Sequence, residues 1–295
     1  MKMFKMLGAA AAAIVLAGVA APASAQTVKV GSKNFTEQYV LAEIYAAALE
    51  NAGMKVTRKI NLGGTLIAHQ ALTAGEIDLY PEYTGTALIS VVKGKIQSDP
   101  TAVYNEVKTF YEQNFKITWL KPDAINNGYA LLVRPETAAT YKLKTLSDLG
   151  KAASNLVLGA GPEFSERADG LPGLKATYGA EFKEFRQFAK LGLRYDALAA
   201  KQIDVANGFA TDWQIADGKL VPLDDDKGLF PPYFVAPVVR QDALAANPKL
   251  AETLDALSAM LDNDTMRKLN AKVEKDREEP KDVAKAFLKE KGVIK

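Results

Sequence analysis

Alternation and helical periodicity divide the chain into a regular series of elements. Thr27-Val28-Lys29-Val30-Gly31-Ser32 alternates polar and apolar side chains and predicts a strand. From Thr36 to Asn51, Val40, Ile44, Ala47 and Ala48 share one face, which predicts a helix that Thr36 caps and Gly53 ends. Met54–Ile60 predicts a second strand, and Gly63-Gly64-Thr65 a turn into a helix over Leu66–Ala74. Ile77–Tyr80 alternates again as a third strand, which Pro81 is expected to end because it has no N–H to donate. This β-α-β-α-β order implies a parallel sheet with right-handed crossovers. Helical patterns follow at Thr86–Val92 and Thr101–Gln113, then strands at Phe115–Leu120 and Tyr129–Val133. From Thr145 the alternation restarts, with strands at Leu156–Ala160, Phe182–Phe188 and Asp204–Phe209 and helical patterns between them. Strands at Leu220–Leu223 and Phe234–Val239 lead to a helical tail.

The fold class is therefore α/β, with two lobes. The pattern passes from one unit to the other near Arg134-Pro135 and returns near Tyr233–Pro237. Lobe I is expected over 26–132 and 236–295, and lobe II over 133–235. Two adjacent crossover strands joining two αβ lobes make a clamp, and the cleft between the lobes is the expected ligand site. The architecture alone does not choose among binding proteins, enzymes and sensor domains.

Composition narrows the choice. Lys2 and Lys5, an apolar run over Ala9–Ala20 and Ala23-Ser24-Ala25 read as a secretory signal peptide over 1–25. That segment holds two lysines and no acid, so its removal takes the net charge from +2 to zero. A neutral chain argues against nucleic acid as a partner. An exported chain without cysteine must draw its stability from a sizeable core. The expected location is the periplasm and the expected state a monomer. The one histidine, the missing cysteine and the lack of metal-ligand spacing speak against catalysis and predict no cofactor and no metal. A deaminase on a bilobal fold, for instance, would need a cysteine to anchor its cofactor.

The candidate site residues lie at strand ends and crossovers. In Asp78-Leu79-Tyr80-Pro81-Glu82-Tyr83-Thr84-Gly85-Thr86 an aromatic ring, hydroxyls and a helix start share the carboxyl end of a strand, where ligands of open α/β sheets sit. Tyr83, Tyr129, Phe209 and Tyr233 all fall at such ends, and closing the clamp would gather them. Lys33, in the loop after the first strand, and Arg167 could with Thr86 hold a carboxylate. For each residue alone, core packing or a solvated surface position is the competing reading.

Three segments carry a resemblance: Val30-Gly31-Ser32-Lys33-Asn34-Phe35-Thr36-Glu37-Gln38, Asn61-Leu62-Gly63-Gly64-Thr65 and Tyr80-Pro81-Glu82-Tyr83-Thr84-Gly85-Thr86. With them the chain resembles the substrate-binding proteins of osmoprotectant ABC importers, the glycine betaine, choline and carnitine binders of the ProX, OpuC and OsmF type. The resemblance implies a type II periplasmic-binding fold and delivery of a quaternary-ammonium solute to a membrane permease. It also implies an aromatic cage of Tyr83, Tyr129, Phe209 and Tyr233 with Asn127 beside it, and a carboxylate site of Lys33, Thr86 and Arg167. At Phe209 and Asn127 the family often has tyrosine and an acidic residue. A trimethylammonium group donates no hydrogen bond, so electron-rich ring faces can replace its water, and ring faces are expected to matter more than hydroxyls. A choline- or amino-acid-binding protein of the same transporter class is the alternative.

Overall fold

The computed structural model describes residues 27–190 and 192–295. The segment read as a signal peptide lies outside the described residues. The strands are β1 (Val28–Gly31), β2 (Val56–Lys59), β3 (Leu79–Tyr83), β4 (Ile117–Trp119), β5 (Tyr129–Val133), β6 (Val157–Ala160), β7 (Glu184–Gln187), β8 (Val205–Phe209), β9 (Val221–Leu223) and β10 (Val235–Arg240). They form two five-stranded sheets, ordered β2-β1-β3-β10-β4 and β7-β6-β8-β5-β9. In each sheet three strands run parallel, and a fourth, arriving from the other half of the chain, is antiparallel to its neighbours. The two orders match when the three parallel strands and the far edge strand are numbered along the chain and the strand from the other half is set apart. The α/β, two-lobed architecture is the one the hydrophobic pattern implies.

Helix α1 (Thr36–Asn51) is buried on nearly every side, because sheet one covers one flank and the C-terminal helices Leu250–Ser258, Asn263–Glu274 and Pro280–Glu290 cover the other. Thr36 is its first helical residue and not its cap. The cap position falls to Phe35, in extended backbone with no side-chain capping bond. The helix thereby forgoes a cap contribution of about 1 kcal/mol, and the Phe35 ring is left free to face the cleft.

Two further expectations are corrected. Pro81 does not end its strand; β3 continues through it to Tyr83. Pro81 lies directly opposite Pro237 of β10, so two residues without N–H groups share a ladder position that needs no donor. Gln38 Nε2 then donates to the Pro81 carbonyl at 2.8 Å. The passage between the sheets also comes earlier than the pattern suggests. β5 begins at Tyr129 and pairs only with β8 and β9, so the chain crosses through 121–128. Arg134-Pro135 instead closes β5 and opens a helix over Pro135–Tyr141. Arg134 is held there by the carbonyls of Leu198 and Ile203 and by Asp204.

Candidate functional site

A cavity of about 670 Å³ lies between the two sheets, in the range of small-molecule sites. All eight sequence-predicted residues line it: Tyr83, Tyr129, Phe209, Tyr233 and Asn127, and Lys33, Thr86 and Arg167. They come from the β1–α1 loop, the end of β3, the crossing into β5, the end of β8, the loop after β6 and the return before β10. Nothing in their separation along the chain brings them together; the shared pattern of strand ends does.

The rings form one continuous group. Tyr129 is 5.4 Å from Phe209 and 5.8 Å from Tyr233, centroid to centroid. Phe35 bridges the remaining gap, 6.2 Å from Tyr83 and 6.4 Å from Phe209, lying parallel to the latter within 6°. Phe164 packs edge-on to Tyr129 at 5.1 Å. Phe35 and Phe164 escape a reading based on strand ends, since one sits in a loop and the other in the short helical turn Pro162–Ser165; only their nearness to Lys33 and Arg167 in sequence hints at them. Gly85 matters to this packing: a Cβ there would come within 2.8 Å of both the Pro232 carbonyl and the Tyr233 ring. The close approach that glycine permits is made by another cage residue.

The hydroxyls are not idle. The Tyr83 hydroxyl donates to Glu37 Oε1 at 2.7 Å, and the Tyr233 hydroxyl to Asp169 Oδ2 at 2.5 Å. Both carboxylates are buried. Each therefore fixes the plane of the ring in front of it.

The two cations are paired from behind. Lys33 Nζ donates to Glu82 Oε1 at 2.6 Å and to Thr65 Oγ1 at 3.1 Å, and Glu82 also accepts from the Tyr80 hydroxyl. Arg167 makes a two-point contact with Asp169, Nε at 2.8 Å and Nη2 at 2.5 Å. Its Nη1 reaches Ser90 Oγ at 3.3 Å. Burial disfavours the guanidinium charge, yet Tyr129, Asp169 and Tyr233 around it raise its affinity for the proton well above the ordinary value. Lys33 keeps one N–H unused and Arg167 keeps two, enough to grip a carboxylate entering the cavity.

The lobes also touch directly. Glu163, after β6, accepts from the Thr65 N–H at 2.9 Å and from the Thr65 hydroxyl at 3.3 Å. Thr65 opens helix α2 (Thr65–Thr73), so a carboxylate of one lobe caps a helix of the other. Gly64 leaves the space, because a Cβ there would lie 2.2 Å from Glu163 Oε1.

Comparison with known proteins places this arrangement. Residues 26–290 match the family described as the substrate binding domain of ABC-type glycine betaine transport systems. The chain belongs to that family. Its members bind substrates for transport and do not catalyse reactions. The chain is 36% identical to a glycine-betaine-binding protein of Pseudomonas aeruginosa, over 99% of this chain and 96% of the relative. It is 35% identical to the ergothioneine transport permease/ergothioneine binding protein EgtU of Helicobacter pylori, over 90% of this chain but only 47% of that relative, so it spans about half of the longer protein. A solved glycine betaine/carnitine/choline ABC transporter structure superposes with a TM-score of 0.75 at 32% identity, covering 90% of this chain and 99% of that one. The two-lobed fold of the binding proteins is thus the fold of this chain. Among the described residues no helix is long and apolar enough to cross a membrane.

Proposed function

We propose that this protein captures a quaternary-ammonium osmoprotectant, glycine betaine or a close relative, and delivers it to an ABC-type permease. The observation that carries the reading is the joining of Tyr83, Tyr129, Phe209 and Tyr233 around one cavity that Lys33 and Arg167 also line. The rings take the trimethylammonium group, each face contributing about 0.5–2 kcal/mol. Lys33, Arg167 and Thr86 take the carboxylate, and Asn127 sits beside the cage. Glu82 and Asp169 already balance Lys33 and Arg167, so neither cation depends on the ligand for a counter-charge.

The same balance favours choline as a second reading. A ligand without a carboxylate would not strand Lys33 or Arg167, since each keeps its internal partner. Calorimetry with glycine betaine, carnitine, choline and ergothioneine tests both. A preference for the zwitterions that Arg167→Ala abolishes supports the first reading. Binding of choline alone, indifferent to Arg167→Ala, supports the second, and binding of none of the four sinks both. The family's extracytoplasmic role supports a periplasmic location, and the same reading makes the protein a monomer matured by removal of residues 1–25. Intact mass and light scattering of the extracytoplasmic fraction check that.

A further inference from the structure

Three protein cations lie over rings of the cavity, and each has a carboxylate partner. Lys33 lies 5.1 Å from the Tyr83 ring centroid and is paired with Glu82. Arg167 lies 5.4 Å from Tyr129 and is paired with Asp169. Arg194 lies 5.1 Å from Phe209 and is paired with Asp212 at 3.2 Å. Each of these rings thus carries a protein cation whose charge is already answered by a carboxylate.

Glu37 is different. It is 3% exposed, and among the described residues it has no cationic partner. Its carboxylate instead collects four hydrogen-bond donors. Oε1 accepts from the Tyr83 hydroxyl at 2.7 Å and from Asn127 Nδ2 at 2.8 Å. Oε2 accepts from the Thr211 hydroxyl and from Asn270 Nδ2 at 3.3 Å. Only the ionised form accepts all four; protonation would turn one of these bonds round, with the Tyr83 or Thr211 hydroxyl accepting in place of donating. Burial raises the carboxyl above its ordinary range, and the bonds from Thr211, Tyr83, Asn270 and Asn127 offset that rise only in part. Two of the four donors, Tyr83 and Asn127, also line the cavity.

We propose that Glu37 is the counter-charge for the ligand's ammonium group, acting on it through Tyr83. The inference rests on the quaternary-ammonium reading of the cavity. A phenol that donates to a carboxylate passes electron density into its ring, which deepens the negative face that a cation meets. The carboxylate behind it adds an attraction that water cannot screen, since the group is buried. In this family's cleft the incoming cation would complete the pairing that Glu37 lacks. Glu37 is thus a positioning and charging residue and touches the ligand only through the ring.

The test compares two probes of one shape. Glycine betaine and 3,3-dimethylbutanoate differ only in a quaternary nitrogen against a quaternary carbon, so their affinity ratio isolates the positive charge. Titration of the wild type, Glu37→Gln, Tyr83→Phe and the double variant gives four ratios. Glu37→Gln is expected to reduce the preference for betaine roughly tenfold. Tyr83→Phe should reduce it several-fold, and the double variant little further than Glu37→Gln alone. A purely structural role would lower the apo melting temperature and weaken both probes equally, leaving the ratio unchanged; that result overturns the proposal. Should Glu37→Gln fail to fold, Tyr83→Phe decides alone: an unchanged ratio overturns the proposal and a reduced one supports it. Wild type that binds neither betaine nor choline would instead overturn the functional reading, and this inference with it.

Discussion

The two lobes share one strand order but are built to different depths. Lobe I packs helices of 16, 16, 12 and 11 residues against its sheet, and α1 is enclosed by the C-terminal helices. Among the described residues lobe II has no helix longer than 8 residues, and its edge strand β7 is largely exposed. The site follows the same division. Lobe I presents Lys33, Tyr83 and Thr86 from strand ends backed by a broad core. Lobe II presents Tyr129 and Phe209 from strands as well, but Arg167 and Phe164 from the segment 161–170, whose only regular structure is the short turn Pro162–Ser165. A deep core over-determines side-chain positions, whereas a loop needs local partners. Asp169 supplies that partner for Arg167. Lobe I is thus a platform set by its core, and lobe II a cap whose cationic end is held by one buried ion pair.

The comparison is most exposed to Arg167→Ala. It leaves Asp169, which is fully buried, without its cation. Loss of a buried partner costs about 3–5 kcal/mol, and the cost should fall on lobe II. Denaturation followed by hydrogen exchange should show lobe II opening first while lobe I keeps its protection. Uniform loss of protection in both lobes would break the distinction.

Exchanging a ring for leucine probes both sides of the cleft. Tyr83→Leu in lobe I and Phe209→Leu in lobe II should each cost about 1–2 kcal/mol of betaine binding. Tyr83→Leu should cost more, since it also strips Glu37 of a donor. Calorimetry giving equal losses for the two would argue that the platform and cap contribute alike.

Closure can be attacked at Gly64→Ala. The backbone there has φ −71°, so alanine adds no strain in lobe I. Its Cβ would displace Glu163, and the loss of an N-terminal carboxylate is worth about 0.3–1 kcal/mol. Small-angle scattering of the ligand-free protein should report a larger radius of gyration, with an unchanged melting temperature. An unchanged radius would show that the Glu163–Thr65 contact does not hold the lobes together.

The smallest expected effect is a pH dependence confined to lobe I. His69 is packed edge-on against Tyr111 at 5.3 Å and Phe115 at 4.7 Å, and burial lowers its basicity from the ordinary 6.5. The folded state therefore binds a proton less readily than the unfolded chain. Stability from neutral His69 is complete above 6.5 and falls as pH drops below it. Melting of wild type and His69→Phe between pH 7.5 and 5.5 should show the acid loss in the former only.

Much of this protein was legible in its order of apolar and polar residues. The period-2 and period-3.6 segments fix which residues end strands, and strand ends at a cleft are where Tyr83, Tyr129, Phe209 and Tyr233 fall. Lys33, Thr86 and Arg167 lie close to such ends, so local pattern reaches them too. What local pattern cannot reach is pairing between distant segments. Pro81 reads as a strand terminator until Pro237 is placed opposite it. Phe35 reads as a residue before a helix cap until Phe209 stacks on it from the other lobe. Glu37, Glu82 and Asp169 draw no role from local pattern, because a buried carboxylate is recognisable only by its partners, and those come from up to 233 residues away along the chain. Periodicity records which face of an element is buried. Which charges and rings meet there is decided only when the two sheets close on one another.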